Sequence, residues 1–234
     1  MGTASTMACI TETLGMALPG TAAIPAIHAD RLRAAEASGA QAVHLAQIDR
    51  DKQLTPKKII TPASVENALR ILLAVGGSTN AIIHLTAIAG RLGIPIPLQQ
   101  LNKLSDETPV LIDLKPTGDH YMEDLFKAGG LGVVLRELKP LLNLECLSVT
   151  GETLNERLQN EPAYVNREVV RSFDQPIQKM GGLVSLFGSL APGGAILKRS
   201  AADPTLFESE GKAVVFKSLE DLANRIDDPD LEVE

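Results

Sequence analysis

Residues 61–85 read TPASVENALRILLAVGGSTNAIIHL. Thr61 before Pro62 is a helix start, with a hydroxyl residue at the N-cap and a proline where its missing N–H costs nothing. Val65, Ala68, Leu69 and Leu72 then share one stripe at helical spacing, so this helix has a face to bury. Gly76 and Gly77 end it, and Ser78, Thr79 and Asn80 open a second helix. There Ile82, Ile83, Leu85, Ile88 and Ala89 cover most of the circumference, which predicts deep burial, with His84 a satisfied core histidine. Two such helices need further layers to bury against.

Upstream, Met7, Ile10, Leu14 and Met16 follow a helical period after the small, hydroxyl-rich residues 2–6, and Pro19-Gly20 stops the run. Asp30 reads as the N-cap of another helix through Leu32, Ala35, Ala42, Val43 and Ala46, with Gly39 a weak spot and a solvated charged face. Downstream, a Pro95/Pro97 turn and a short helix around Leu101 precede a buried strand at 110–114. Residues 115–118 form a turn. Asp119 can cap a helix through Tyr121, Met122, Leu125 and Phe126, and Gly129-Gly130 separates it from a helix carrying Val133, Val134, Leu135 and Leu138. Up to Thr150 the pattern is α/β.

Past Asn166 the texture changes. Glycines punctuate short apolar runs at 183–187, 195–197 and 213–216, which read as strands of a β-rich unit, and Ser218 caps a helix from Leu219 to Ile226. The expected boundary lies between 170 and 180, giving an α/β part at 1–175 and the start of a β-rich part at 176–234. Asp227, Asp228 and Asp230 lead an acidic tail to Glu234 with no closing hydrophobic element, so the β-rich unit is expected to be incomplete.

The 234 residues are 44% hydrophobic and 22% charged with a net charge of −7, which excludes disorder. The acidic balance, two Tyr, five Phe and no Trp exclude a typical nucleic-acid binder. Cys9 and Cys146 make neither a disulfide framework nor a four-ligand zinc site; both read as small core residues in a reducing cytoplasm. No basic leader precedes the first apolar residues and no apolar run reaches the ~18 residues of a spanning helix, so neither secretion nor membrane insertion is expected.

The best local candidate for a site is the turn Gly76-Gly77-Ser78-Thr79-Asn80. Its free backbone N–H groups, the positive end of a helix dipole and three polar side chains suit a carboxylate or hydroxyl-rich substrate. The alternative is packing: Gly-Gly lets two helices approach, with Ser78 or Thr79 as a cap. Thr3, Ser5 and Thr6 form a second hydroxyl-rich helix start, for which capping is the alternative. His28, His44, His84 and His120 stand far apart without metal-ligand spacing, and His120 is expected to be exposed. The terminal aspartates read as a solvated tail, and no nucleophile and base pair by spacing.

Six blocks carry a resemblance: MGTASTMACITETLGMALPG (1–20), AVGGSTNAIIHL (74–85), DLKPTGDHYMEDLFKAGGL (113–131), NREVVRSFDQPI (166–177), GSLAPGGAILKRSAA (188–202) and GKAVVFKSLEDLANRIDDPDL (211–231). Together, in this order, they resemble the central part of the dihydroxy-acid and sugar-acid (6-phosphogluconate, aldonate) dehydratase family. The resemblance implies a layered α/β domain followed by a β-barrel-type domain. It implies a hydro-lyase that turns a 2,3-dihydroxy carboxylate, a sugar acid such as arabinonate or xylonate or a branched-chain dihydroxy acid, into a 2-keto-3-deoxy acid. An iron–sulfur cluster and Mg2+ are the family's cofactors, a C-terminal serine its base, and homo-oligomers its usual assembly.

The sequence departs from the family pattern where the chemistry sits. The cluster cysteines, the magnesium ligands and the catalytic serine belong to segments outside these blocks, and Cys9 and Cys146 do not match cluster positions. No metal ligand and no catalytic residue is therefore carried onto this chain, and the isolated chain is expected to be inactive. Thr3, Ser5 and Thr6 are expected to wall the pocket near the cluster, and Ser78, Thr79 and Asn80 to bind a small hydroxy-carboxylate. The alternative from another class is a non-catalytic carboxylate-binding or assembly module that keeps the α/β scaffold.

Overall fold

The protein was described from a computed structural model that covers residues 1–49 and 53–232. Its helices are α1 (Thr3–Thr13), α2 (Ala29–Gln47), α3 (Pro56–Ile59), α4 (Pro62–Ala74), α5 (Asn80–Gly90), α6 (Leu98–Glu107), α7 (Met122–Lys127), α8 (Gly130–Glu137), α9 (Leu154–Gln159) and α10 (Leu219–Arg225). Two short strands, β1 (Val184–Leu186) and β2 (Ala195–Leu197), pair antiparallel with Ser185 opposite Ile196. The class is α/β, strongly weighted to helix. The chain divides into two compact units, Met1–Ala201 and Ala202–Glu234.

In the larger unit α4 is the central element, and its sequence explains why. The Thr61 hydroxyl accepts the Ser64 N–H (3.2 Å) while the Ser64 hydroxyl accepts the Thr61 N–H (2.8 Å), a reciprocal cap that satisfies two otherwise orphaned donors. Ten of its residues are buried, Asn67 and Arg70 among them. Ile71, Ala74 and Val75 face one hydrophobic cluster with Leu111, Leu131 and Leu135; Val65, Leu69, Leu72 and Leu73 face another with Leu85 and Leu101. Helix α1 bridges the same two clusters, Cys9 entering the first and Ile10 and Leu14 the second. Arg70 tolerates burial because its three nitrogens reach Glu66, Thr108 and Glu107 at 2.9 to 3.3 Å.

Several elements differ from expectation. Helix α1 ends at Thr13 rather than at Pro19, because Gly15 has φ +82 and sits against the Leu147 carbonyl. His28, not Asp30, caps α2: its Nδ1 accepts the Asp30 N–H at 3.2 Å, and its ring stands edge-on to Phe126. Residues 110–114 are extended and largely buried, yet they form isolated bridges to Gln178 and Val170 instead of a ladder. Asp119 does not cap α7. Its N–H is taken by Asp113, and Asp124 accepts the Tyr121 N–H (2.8 Å) at the helix start.

Helix α5 is not buried all round: Ala81, Ile82, Leu85 and Ala89 face the core, but Ile83 is 69% exposed and His84 lies in solvent. His120 is half-buried rather than exposed, held near Asp113 at 3.7 Å. Cys146 is half-buried and lies 3.6 Å from the Asn67 amide nitrogen, so only Cys9 is a core residue.

The smaller unit has little regular structure. Residues 213–216 are not a strand, because among the described residues of that unit no strand lies ready to pair with them. Helix α10 forms as expected, with the Ser218 hydroxyl accepting the Asp221 N–H (3.1 Å), and Arg225 lies over the Phe216 ring. Asp227, Asp228 and Asp230 are exposed; the last residues of the acidic tail, Val233 and Glu234, lie outside the described residues. Among the described residues no helix is long and apolar enough to cross a membrane.

Candidate functional site

Helix α4 ends in a turn that delivers Ser78. Gly76 takes φ +54, which L side chains rarely adopt, and the Gly76 and Gly77 N–H groups return to the Leu73 and Leu72 carbonyls at 3.3 and 3.1 Å. Gly77 is required for a different reason. A Cβ there would lie 2.7 Å from both Leu72 Cδ1 and Thr6 Cγ2, so only glycine lets this turn press against α1.

The turn therefore meets the start of α1, and the two hydroxyl-rich stretches form one cluster. Thr3 Oγ1 and Ser78 Oγ are 2.8 Å apart. The Asn80 side-chain amide donates to Thr3 Oγ1 (3.2 Å), and the Asn80 N–H donates to Ser78 Oγ (3.3 Å). Beneath them the buried Thr6 hydroxyl donates to the Gly2 carbonyl (2.8 Å) and accepts the Ser78 N–H (3.1 Å). Ser5 stays on its own turn, donating to the Gly2 carbonyl at 3.3 Å, and the Thr79 hydroxyl has no partner among the described residues.

Counting hydrogens shows what the cluster offers. Thr6 has its one hydroxyl hydrogen on Gly2. Thr3 and Ser78 have two between them, and their mutual bond uses one, so one O–H remains for a ligand oxygen. Asn80 keeps a second amide hydrogen and its carbonyl oxygen. The starts of α1 and α5 add their partial positive charge at the same place. Such a group binds carboxylate and hydroxyl oxygens; it has no base strong enough to abstract a proton.

Two features of the larger unit were not legible in the sequence. Lys198, after β2, is half-buried, and burial pushes its ammonium below the usual lysine range. The second is what anchors α1. The Glu12 carboxylate, fully buried, accepts the Gly20 N–H (2.9 Å), the Ala22 N–H (2.6 Å) and the Arg157 guanidinium, which also holds Glu161 at 3.1 Å. No local pattern marks Glu12 as a buried ion-pair residue, since Arg157 lies 145 residues along the chain.

Among the described residues no three His, Cys, Asp or Glu side chains come together as a metal-binding group. The donor chemistry agrees: Cys9 is sealed in the core and burial pushes its thiol up to about 12, the reverse of what a thiolate ligand requires. These residues do not fit an iron–sulfur cluster or a magnesium ion.

Residues 1–157 match the family model for the N-terminal part of the dihydroxy-acid/6-phosphogluconate dehydratases, and residues 168–234 match that for their C-terminal part. The chain is 42% identical to a dihydroxy-acid dehydratase of Caldanaerobacter subterraneus, over 97% of this chain and 40% of that protein. Identity to the dihydroxy-acid dehydratase of Acetivibrio thermocellus is 44%, over 93% of this chain and 39% of that one. An L-arabonate dehydratase of Azospirillum brasilense is 45% identical over 97% of this chain and 39% of its own length. The chain thus spans about 40% of the length of the curated relatives it matches.

Proposed function

Because the chain belongs to the dihydroxy-acid/6-phosphogluconate dehydratase family, we propose that it is the central portion of a hydro-lyase acting on a 2,3-dihydroxy carboxylate. The whole protein would eliminate water from an aldonate such as arabinonate, or from a branched dihydroxy acid, to give a 2-keto-3-deoxy acid. The relatives' names, dihydroxy-acid dehydratase and L-arabonate dehydratase, support both substrate classes.

The observation that carries the site is the meeting of Thr3 and Ser78 across the α4–α5 turn. In this reading Thr3, Ser78 and Asn80 hydrogen-bond the substrate's carboxylate or hydroxyl oxygens, Thr79 lines the same wall, and Thr6 and Ser5 fix the start of α1 behind it. The residues described here hold and orient substrate. They supply no base, and because their donor set does not fit the family's iron–sulfur cluster or Mg2+, no step is derived through either. The isolated chain is accordingly proposed to be inactive, with the metal ligands and the base contributed by other parts of a longer protein.

The same reading keeps the boundary between an α/β part and a β-barrel-type part at 175/176, eight residues after the C-terminal family match begins at 168, and takes the protein as a cytoplasmic homo-oligomer. It is tested by titrating the 15N-labelled chain with arabinonate and with 2,3-dihydroxyisovalerate. Saturable shifts at the Thr3, Ser78 and Asn80 amides, lost in Ser78→Ala, are expected; shifts confined to other residues would overturn the site. An intact mass in the native source of more than twice 24.9 kDa is expected as well, and a mass near 24.9 kDa would favour a binding or assembly module instead.

A further inference from the structure

A concave surface lies on the larger unit, away from the hydroxyl cluster in sequence. It is an open cleft of about 890 Å³ between the loop after residue 113 and the segment 167–177. Its walls are fixed to each other by backbone bonds: the Asp113 N–H to the Val169 carbonyl (2.9 Å), the Arg171 N–H to the Leu111 carbonyl (2.8 Å) and the Ile177 N–H to the Val110 carbonyl (2.9 Å). Because Val169 and Val170 are buried against the core, the flanking Arg167 and Arg171 lie on the solvent side.

The charges on these walls are unequally matched. Lys115 and Arg171 have no carboxylate partner among the described residues; Lys115 instead sits 5.4 Å from the Tyr121 ring centre. Arg167 is held by Glu137 at 2.8 Å, and Glu137 is itself fixed by the Phe173 N–H (3.1 Å), so that guanidinium is oriented rather than mobile. Of the two acidic side chains in the lining, Asp113 is turned into its own loop, accepting the Asp119 N–H (2.7 Å) and facing His120, which leaves Asp119 as the exposed carboxylate. Ser172 and Gln175 add neutral donors, while the Thr117 hydroxyl donates to the Leu114 carbonyl (3.4 Å). Two cations without a carboxylate partner and one oriented guanidinium thus line one cleft whose walls are joined by backbone bonds, in a protein of net charge −7.

We propose that this cleft is an anion-binding site that takes a phosphate or carboxylate group, with Arg171 and Lys115 as its charged contacts and Arg167 as an oriented third. The proposal is independent of the dehydratase reading. The test is a 15N titration of the full chain with inorganic phosphate, and separately with citrate, each at constant ionic strength set with sodium chloride. Saturable shifts at the Thr117, Gly118 and Ser172 amides are expected, with binding weakened roughly tenfold or more in Arg171→Gln and in Lys115→Gln. Saturation by phosphate identifies a phosphoryl group as the ligand chemistry, and saturation by citrate alone a carboxylate. Shifts no larger than those from chloride, or shifts unchanged in both variants, would overturn it. Both side chains are on the surface, and a circular-dichroism spectrum identical to the parent's confirms that a loss reflects the cleft and not the fold.

Discussion

Thr3 Oγ1 lies 2.8 Å from Ser78 Oγ although 75 residues separate them, and each belongs to the first turn of, or the turn before, a different helix. This bond joins the α1 start to the α4–α5 turn, so it couples the two stretches energetically as well as spatially. A double-mutant cycle of Thr3→Val and Ser78→Ala, followed by urea denaturation, should give a coupling of about 1 kcal/mol. Additivity within about 0.3 kcal/mol would mean the two hydroxyls do not interact in solution.

The contact of Gly77 with α1 leads to a second expectation. Gly77→Ala should cost about 1–3 kcal/mol, because the added methyl meets Leu72 and Thr6 at 2.7 Å and neither is the free end of a flexible surface chain. Gly39→Ala, at an exposed helix position with open space around it, should instead stabilise by about 0.5–1 kcal/mol. Thermal denaturation of both variants checks the pair, and equal shifts of the same sign would contradict it.

Removing one side of the Glu12–Arg157 pair should be much worse than removing both. Arg157→Met leaves a buried carboxylate with two backbone donors and is expected to cost about 3–5 kcal/mol. The double variant Glu12→Gln/Arg157→Met should recover a large part of that loss, since the amide oxygen still accepts the Gly20 N–H. Denaturant midpoints of the three proteins decide the matter.

Cys9 gives the fold an alkaline limit. Its thiol is raised from 9.0 to about 12 in the folded state, first by burial and then by the neighbouring Glu12 charge, so the folded protein holds this proton more tightly than the unfolded chain does. The stabilisation is complete below pH 9 and is lost as pH rises from there toward 12. Tm should therefore fall more steeply above pH 9 in the parent than in Cys9→Ala. At pH 8 iodoacetamide should label half-buried Cys146 in the native protein and reach Cys9 only after unfolding.

The parts of this fold that were legible in the sequence are those fixed by neighbours along the chain. Thr61-Pro62 and Gly76-Gly77 bracket α4 because a cap and a Schellman turn are local structures, closed within five residues. The 213–216 run failed as a strand for the complementary reason: a strand needs a partner, and apolar alternation cannot say whether one is near. Ile83 and His84 were read into the core because the apolar residues of α5 surround it, whereas the structure buries one side only. At the candidate site, each hydroxyl-rich stretch was visible by itself, but their meeting was not, since it depends on Gly77 admitting Thr6. The Glu12–Arg157 pair left no trace in either local sequence, because a glutamate on an apolar helix reads as the solvent face.

That pair also sets an order of events during synthesis. Glu12 is made 145 residues before Arg157, and at roughly 5–20 residues per second a ribosome needs about 7–30 s to bring the second charge out after the first. Throughout that interval α1 carries an unneutralised carboxylate on the side it must bury, so it cannot settle into the two clusters it will later bridge. Docking of α1 is therefore favoured only once α9 has emerged, which places this helix among the later elements of the described chain to become native although it is made before them.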